Sequence, residues 1–323
     1  QSGYAADCNS VYAGSIPTSA SIFHKRDSLE RASVGDRVQK PKVLFLIGAG
    51  PHRNDNHRRL PSAFADEGWR VQVADHASLH LDQGVVKAAE TNLGSCDLIW
   101  PLGFGERRSF LDRAQLLRRI DQERFVNAID AYTYLHGKLA FLEHLPETHA
   151  GSHAARLIEQ LDDRSDWIVK PSGASFGQGV ARIRNDADGH AAVRRTIREQ
   201  GFAILQRFVE SAAEGETRCL VAGGKVIGCY RRQPGSTDHR ANLAAGATAS
   251  PHVLSAGERG LAQTVATQLR NAGVGFAAVD IAQPHLIEVN VANPGGLGTI
   301  EALSGEDLAP SAVRAIIGRR GTC

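Results

Sequence analysis

The sequence predicts two differently built parts: an α/β first part around a parallel sheet, then an α+β part with antiparallel strands. Two observations predict this. From Lys42 to about Ala128, apolar strand-like runs alternate with helix-like stretches, the order of a parallel sheet. Further on, β-like runs come in pairs, and Gly223-Gly224 between two of them is a strong hairpin signal because both turn positions tolerate positive φ.

Residues 1–40, rich in Ser, Ala and Gly with no sustained period, read as a tail or extended arm. Val43-Leu44-Phe45-Leu46-Ile47, ended by Gly48-Ala49-Gly50-Pro51, reads as a buried strand entering a loop. A helix follows near Asn56–Glu67, with Pro61 early in it or kinking it. Strands at Arg70–Ala74 and Asp97–Trp100 and a helix around Ser109–Asp121 complete the first part. Asp130 is a plausible N-cap for a helix running towards Glu143. Trp167–Lys170 is a strand stopped by Pro171 and a glycine-rich loop, Ala191–Gln200 a helix, and Phe202–Phe208 a strand. Thr217–Ala222 and Lys225–Tyr230 flank the Gly-Gly turn. Ser255 and Glu258 form the S-x-x-E capping box of a helix reaching about Asn271. Phe276–Ile281 and Leu286–Val291 form a second hairpin, and Asp307–Ile317 a last helix.

Composition excludes several classes. Of 323 residues, 42% are hydrophobic and 22% charged, too apolar for a disordered chain. A formal charge of +2 argues against nucleic acid, whose partners usually carry a basic face. The five Cys are scattered without a C-x-x-C pair, which fits a reducing compartment better than a zinc site or disulfide framework. No apolar run approaches the roughly 18–20 residues that span a bilayer. A soluble, cytoplasmic protein with no membrane or nucleic-acid partner is the expectation. Methionine is absent, unusual for this length.

The most informative stretch runs from Asp280 to Asn293. Strand alternation puts Glu288 and Asn290 on one face and Ile287, Val289 and Val291 on the other, with Asp280 on the partner strand. Three oxygen donors on neighbouring strands suit Mg²⁺, which shares its shell with phosphates; a structural salt bridge to Arg or Lys is the alternative. Lys170-Pro171-Ser172-Gly173-Ala174-Ser175-Phe176-Gly177-Gln178-Gly179 frees backbone N–H groups for phosphate oxygens behind a lysine. It lacks the G-K-[ST] of a P-loop, and a flexible hairpin with a surface lysine is the alternative. Arg218 and Arg240 would suit phosphoryl transfer, or are ordinary exposed arginines. Gly48-Ala49-Gly50 lacks the third glycine of a dinucleotide fingerprint.

The order Lys138, Lys170 with its loop, Gln206-Arg207-Phe208-Val209, Gly215-Glu216-Thr217-Arg218, Arg240-Ala241-Asn242-Leu243-Ala244-Ala245-Gly246 and Asp280…Glu288-Val289-Asn290 resembles the bacterial glutathione synthetase branch of the ATP-grasp superfamily. Val126-Asn127 also fits that family's linker into the central subdomain. The resemblance implies an ATP-grasp fold: an N-terminal domain over 41–128 and two α+β subdomains, 129–204 and 205–323, clasping ATP. It implies that Lys138 and Lys170 bind ATP phosphates, with Gly173, Ser175, Phe176 and Gly177 closing over them. Gln206, Arg207, Phe208 and Val209 would line the adenine pocket, largely through backbone groups, and Glu216 would hold the ribose. Asp280, Glu288 and Asn290 would hold two Mg²⁺ (possible substitutes include Mn²⁺). Arg218, Arg240 and Asn242 would serve the acyl phosphate. The implied activity joins a carboxylate to an amine, both small molecules such as amino acids or peptides, and the implied assembly is a homo-oligomer. Two departures bear on the substrate. The family's basic R-K-D-P-P segment is replaced by Trp100-Pro101-Leu102-Gly103-Phe104-Gly105-Glu106. Ala292–Glu301 is closer to the corresponding segment of ligases that add glutamate to a ribosomal protein.

Overall fold

A computed structural model describes residues 39–173, 178–234 and 247–319. The first strand, β1 (Lys42–Ile47), is buried throughout because both faces of its sheet are covered. Helix α1 (Asn56–Asp66) carries Pro61 inside it, the sixth of its eleven residues and past the first turn, so the helix forgoes the N–H bond that position would have made back to His57. Next, β2 (Arg70–Asp75) pairs in parallel with β1. Between it and the next parallel strand lies a small antiparallel sheet that the sequence did not announce: β3 (Leu79–Asp82), β4 (Val85–Ala88) and β5 (Thr91–Asn92). Its strands are very short, and the first turn uses Gln83 at φ 46° beside Gly84, where Asn or Gly ordinarily announces such a hairpin. Then β6 (Leu98–Leu102) closes the parallel sheet in the order β2-β1-β6, and α2 (Phe110–Leu117) follows.

The expected long helix from Asp130 is a single short one, α3 (Ile129–Tyr134), with Ala128 at its N-cap and Asp130 in its first turn. Chain direction changes at Gly137, whose φ of +117° and backbone bridge to Val289 end any helix. A four-stranded antiparallel sheet follows, built from β7 (Thr148–Gly151), β8 (Trp167–Lys170), β9 (Ala181–Ile183) and β10 (Ala203–Arg207), in the order β7-β10-β8-β9. Helices α4 (Ala154–Ile158) and α5 (Ala187–Gln200) pack on one face of it, around Trp167, Val169 and Leu205.

The third layer is a five-stranded antiparallel sheet. Strands β11 (Glu216–Ala222) and β12 (Lys225–Gln233) meet at Gly223-Gly224, both at positive φ (57° and 83°). Strand β13 (Thr248–Pro251) precedes α6 (Ala256–Asn271), whose capping box is complete: Ser255 Oγ accepts from Glu258 N while Glu258 accepts from Ser255 N. Strands β14 (Phe276–Ala282) and β15 (His285–Asn290) finish the order β13-β12-β11-β14-β15, and α7 (Leu297–Ser304) and α8 (Ala309–Gly318) end the described chain. One core joins this sheet to the parallel one: Phe45, Phe64 and Trp100 pack with Leu220, Phe276, Val313 and Ile316, Trp100 meeting Phe276 edge-on at 5.5 Å. Leu286 and Val289, not Ile287, join the buried cluster beneath α6. A β-bulge makes the difference: Asp280 pairs with Glu288 and Ile281 with Leu286, leaving Ile287 as the extra residue.

Candidate active site

Residues of the five-stranded sheet form a row of polar groups on one face. Arg218, Asp280 and Glu288 are direct cross-strand neighbours on β11, β14 and β15, and Arg232 lies opposite Glu216 on β12 and β11. Asp280 is buried, at 1% exposed, so its charge must be met nearby. Arg218 meets it with both arms, Nε donating to Oδ1 and Nη2 to Oδ2, each at 2.7 Å. Arg232 Nη2 lies 3.0 Å from Oδ2 and donates to Glu216 Oε2 at 2.8 Å. Burial pushes the Asp280 carboxyl up, but the two guanidinium groups outweigh it and hold it below its ordinary value. Burial likewise raises Glu216, and here Arg232 does not fully offset it. Asn290 Nδ2 lies 3.4 Å from Asp280 Oδ2.

Lysines face this row from two directions. Gly137 exchanges hydrogen bonds with Val289, which sets Lys138 Nζ 3.1 Å from Glu288 Oε1. Lys170 ends β8 on the face opposite Trp167 and Val169. It is buried rather than a surface lysine, and donates to Gln206 Oε1 at 2.7 Å. Gln206 in turn donates to Thr148 Oγ1 at 2.8 Å. Burial, reinforced by Lys138, lowers Lys170 to about 8, while Glu288 and Glu216 act against it.

The structure therefore brings together Lys138, Lys170, Gln206, Glu216, Arg218, Asp280, Glu288 and Asn290. Gly173, three residues past Lys170, accepts through its carbonyl from Arg107 Nη1 at 3.2 Å. It does not bring in the Arg207 side chain. By strand alternation Arg207 points to the far side of β10, where it covers the Trp167 ring at 4.4 Å and pairs with Glu147 and Asp162. The amides of Arg207 and Phe208 are taken by the carbonyls of Glu147 and Asp166. The Phe208 ring lies under Arg182, and Val209 leads into the turn after β10. Ser175, Phe176, Gly177, Arg240 and Asn242 lie outside the described residues.

Arg232 is the site residue that sequence reasoning missed. Its Nε is buried and, among the described residues, has no hydrogen-bond partner. Among the described residues no cluster of three or more His, Cys, Asp or Glu could hold a metal ion. Asp280, Glu288 and Asn290 instead offer two carboxylates and an amide on adjacent strands, a donor set that fits a hard cation whose remaining ligands are phosphate oxygens and water. Arg218, Arg232 and Lys138 pair with the same carboxylates.

Residues 137–305, more than half the chain, match the model of the prokaryotic glutathione synthetase ATP-grasp domain. The chain belongs to that family. Glutathione synthetase of Prochlorococcus marinus subsp. pastoris is 31% identical over 183 residues, 56% of this chain and 60% of that protein. That of Parasynechococcus marenigrum is 31% identical over 189 residues, 58% and 62%. The matched segment thus spans less than two thirds of these relatives' length. Among solved structures, D-cycloserine synthetase DcsG has a TM-score of 0.65 at 16% identity, over 86% of this chain and 99% of that one. A RimK domain ATP-grasp protein from Sphaerobacter thermophilus reaches 0.61 at 21%, over 85% and 98%. The fold is the ATP-grasp fold, with a parallel sheet and a small antiparallel one ahead of two larger antiparallel sheets. No helix among the described residues is long and apolar enough to cross a membrane.

Proposed function

We propose that the chain is an ATP- and Mg²⁺-dependent carboxylate–amine ligase of the glutathione synthetase kind. The supporting observation is the meeting of two lysines, two arginines and the Asp280–Glu288–Asn290 donor set in one cleft between two sheets. A carboxylate oxygen of the substrate attacks the γ-phosphorus and ADP leaves. An amine then attacks the acyl carbon, loses a proton, and expels inorganic phosphate as the amide forms. Such chemistry needs positioning and charge neutralisation rather than a side-chain nucleophile. Lys138 and Lys170 hold the phosphates, Gly173, Ser175, Phe176 and Gly177 cover them, Gln206–Val209 border the adenine and Glu216 takes the ribose. Of that border, Gln206 contributes its side chain, whereas Arg207 and Phe208 contribute backbone carbonyls. Asp280, Glu288 and Asn290 hold Mg²⁺, which when bound neutralises phosphate charge. Arg218, with Arg232 and then Arg240 and Asn242, stabilises the acyl phosphate and the tetrahedral species after it.

The same proposal divides the chain at 41–128, 129–204 and 205–323, and expects small carboxylate and amine substrates, a homo-oligomer and a cytoplasmic location. A second reading within it, a related ligase joining other partners, is favoured by Phe104, whose ring packs against His136 at 4.9 Å where the family carries a basic segment. The test is ADP and phosphate release with γ-glutamylcysteine plus glycine, then with other dipeptides and amino acids. Turnover with the first pair supports a glutathione synthetase, and turnover only with another pair supports the related ligase. Bound ATP without turnover in any mixture would make the chain a non-catalytic ATP-binding module.

A further inference from the structure

His136 precedes the Gly137–Val289 bridge and sits beside the cleft without belonging to the set above. Its Nδ1 faces two consecutive backbone amides at the end of β15, Val291 N–H at 3.1 Å and Ala292 N–H at 3.4 Å. Both partners can only donate, so Nδ1 carries the lone pair and the ring proton resides on Nε2. Protonating the ring would set an Nδ1–H against those two N–H groups. Burial, then Lys138 and Arg107, lower the basicity of this imidazole, with Glu288 opposing. The ring is held by Phe104, edge-on at 4.9 Å and 78°, which Phe110 supports at 4.9 Å. Gly103 N donates to Ala292 O at 2.9 Å and fixes that loop to the same segment. Among the described residues, Nε2–H has no protein acceptor.

Topology says which ligand Nε2–H meets. The chain leaves β1 for β2 on one side and returns to β6 on the other, so the order β2-β1-β6 reverses between β1 and β6. Open α/β sheets take ligands outside the carboxyl ends of their strands at such a point. The loop leaving β6 there carries Phe104 and Arg107, and His136 packs against it. Lys138 and Lys170, beyond His136, serve the phosphate side.

We propose that His136 binds the carboxylate substrate through Nε2–H as a fixed, neutral hydrogen-bond donor, with Phe104 as the wall behind it, and is not the base that deprotonates the amine. The inference rests on the ligase reading for what the substrate becomes. A neutral donor orients the attacking carboxylate without stabilising its negative charge as a cation would, and that charge is what the phosphoryl transfer consumes.

Two substitutions separate this role from a structural one. His136→Asn keeps an acceptor near the Nδ1 position, so Val291 N–H retains a partner, but loses the donor at Nε2. His136→Gln carries an N–H to about the Nε2 position. With γ-glutamylcysteine, L-glutamate and glycine as carboxylate probes, His136→Asn is expected to raise the carboxylate KM about 10- to 100-fold. The ATP KM should not move, and His136→Gln should recover most of the loss. A His136→Asn enzyme with the wild-type carboxylate KM would overturn the proposal.

Long-range ¹H–¹⁵N spectra of histidine-labelled protein without nucleotide give a reading that needs no turnover. The expected spectrum has a protonated Nε2 and a bare Nδ1, and the Nε2 signal shifts as the same probes are added. An Nδ1–H tautomer, an imidazolium at neutral pH, or an Nε2 signal indifferent to all three probes would each overturn the proposal. If instead Nε2 responds while no mixture releases ADP, the ligase reading fails and the carboxylate contact stands.

Discussion

Replacing Asp280 with Asn tests the central ion cluster, because the change keeps the shape of the side chain while removing its charge and turning one acceptor oxygen into an NH₂ that faces the arginine donors. Asp280 is 1% exposed and holds Arg218 through two hydrogen bonds of 2.7 Å, with Arg232 at 3.0 Å. Arg232 keeps Glu216 at 2.8 Å after the substitution, so the stranded cation is mainly Arg218, whose side chain is 14% exposed. Removing one partner of a buried pair costs about 3–5 kcal/mol, because the other charge stays buried without its counterion. That is about a fifth at the least, and at the most the whole, of the roughly 5–15 kcal/mol by which a typical domain is stable. Urea denaturation followed by circular dichroism and tryptophan fluorescence measures it. Arg218→Met in the Asp280→Asn background removes the stranded charge, so the double variant should be more stable than the sum of the singles by about 1–3 kcal/mol. A loss below about 1 kcal/mol for Asp280→Asn, or strict additivity in the cycle, would refute the argument that these charges hold one another.

Three further outcomes are expected. Arg218→Ala should lower the turnover number by roughly 10²–10³, the effect of losing one donor to a developing oxyanion; near-full turnover with Mg²⁺-ATP bound would remove Arg218 from the mechanism. Lys170 sits at about 8 without ligand, and ATP phosphates favour its charged form, so ATP affinity should fall as pH rises through about 8, accompanied by proton uptake on binding. Calorimetry in buffers of different ionisation enthalpy measures that uptake, and a flat affinity from pH 7 to 9 would contradict it. His76 is buried and neutral, lowered by burial from 6.5 to about 4, with Leu102 O as its weak acceptor. Below 6.5 the unfolded chain takes up a proton that the native ring declines. Stability contributed by this ring is therefore full above pH 6.5 and lost as pH falls towards 4, a difference of about 3 kcal/mol. Urea midpoints at pH 7 and pH 4.5 should differ less in His76→Phe than in the parent.

Much of this architecture was legible because its signals are local. The Gly223-Gly224 turn, the Ser255–Glu258 box and the apolar run of β1 are each decided within a few residues. Arg232 shows what local signals omit. Counting outward from the glycine turn puts Arg231 opposite Glu216, but the register shifts between Leu220 and Val221, leaving Ile227 unpaired and bringing Arg232 across instead. A second bulge displaced Ile287 from the face that alternation gave it. A strand sends adjacent side chains to opposite sides, so with Gln206 facing Lys170 the Arg207 side chain lies on the other face, which leaves Arg207 the backbone contribution that the resemblance implies. The short helix after Ala128 has another explanation: Gly137 is a local weak point that a longer helix could tolerate at about 1 kcal/mol, and the tertiary bridge to Val289 fixes it in a non-helical conformation instead.

Asn127 spends its whole side chain on one joint. Its Nδ2 donates to Phe276 O at 2.8 Å and Val291 O at 2.9 Å, and its Oδ1 accepts from Gly275 N and Phe276 N, both at 2.9 Å. Mechanically it is a rivet through the entrance of β14 and the exit of β15, the two strands that carry Asp280, Glu288 and Asn290. Ten residues later the same segment is pinned again, at Gly137. Lys138 is therefore tied through the backbone to the acidic hairpin, whereas Lys170 stands on a different sheet, so the two lysines are held by separate sets of hydrogen bonds.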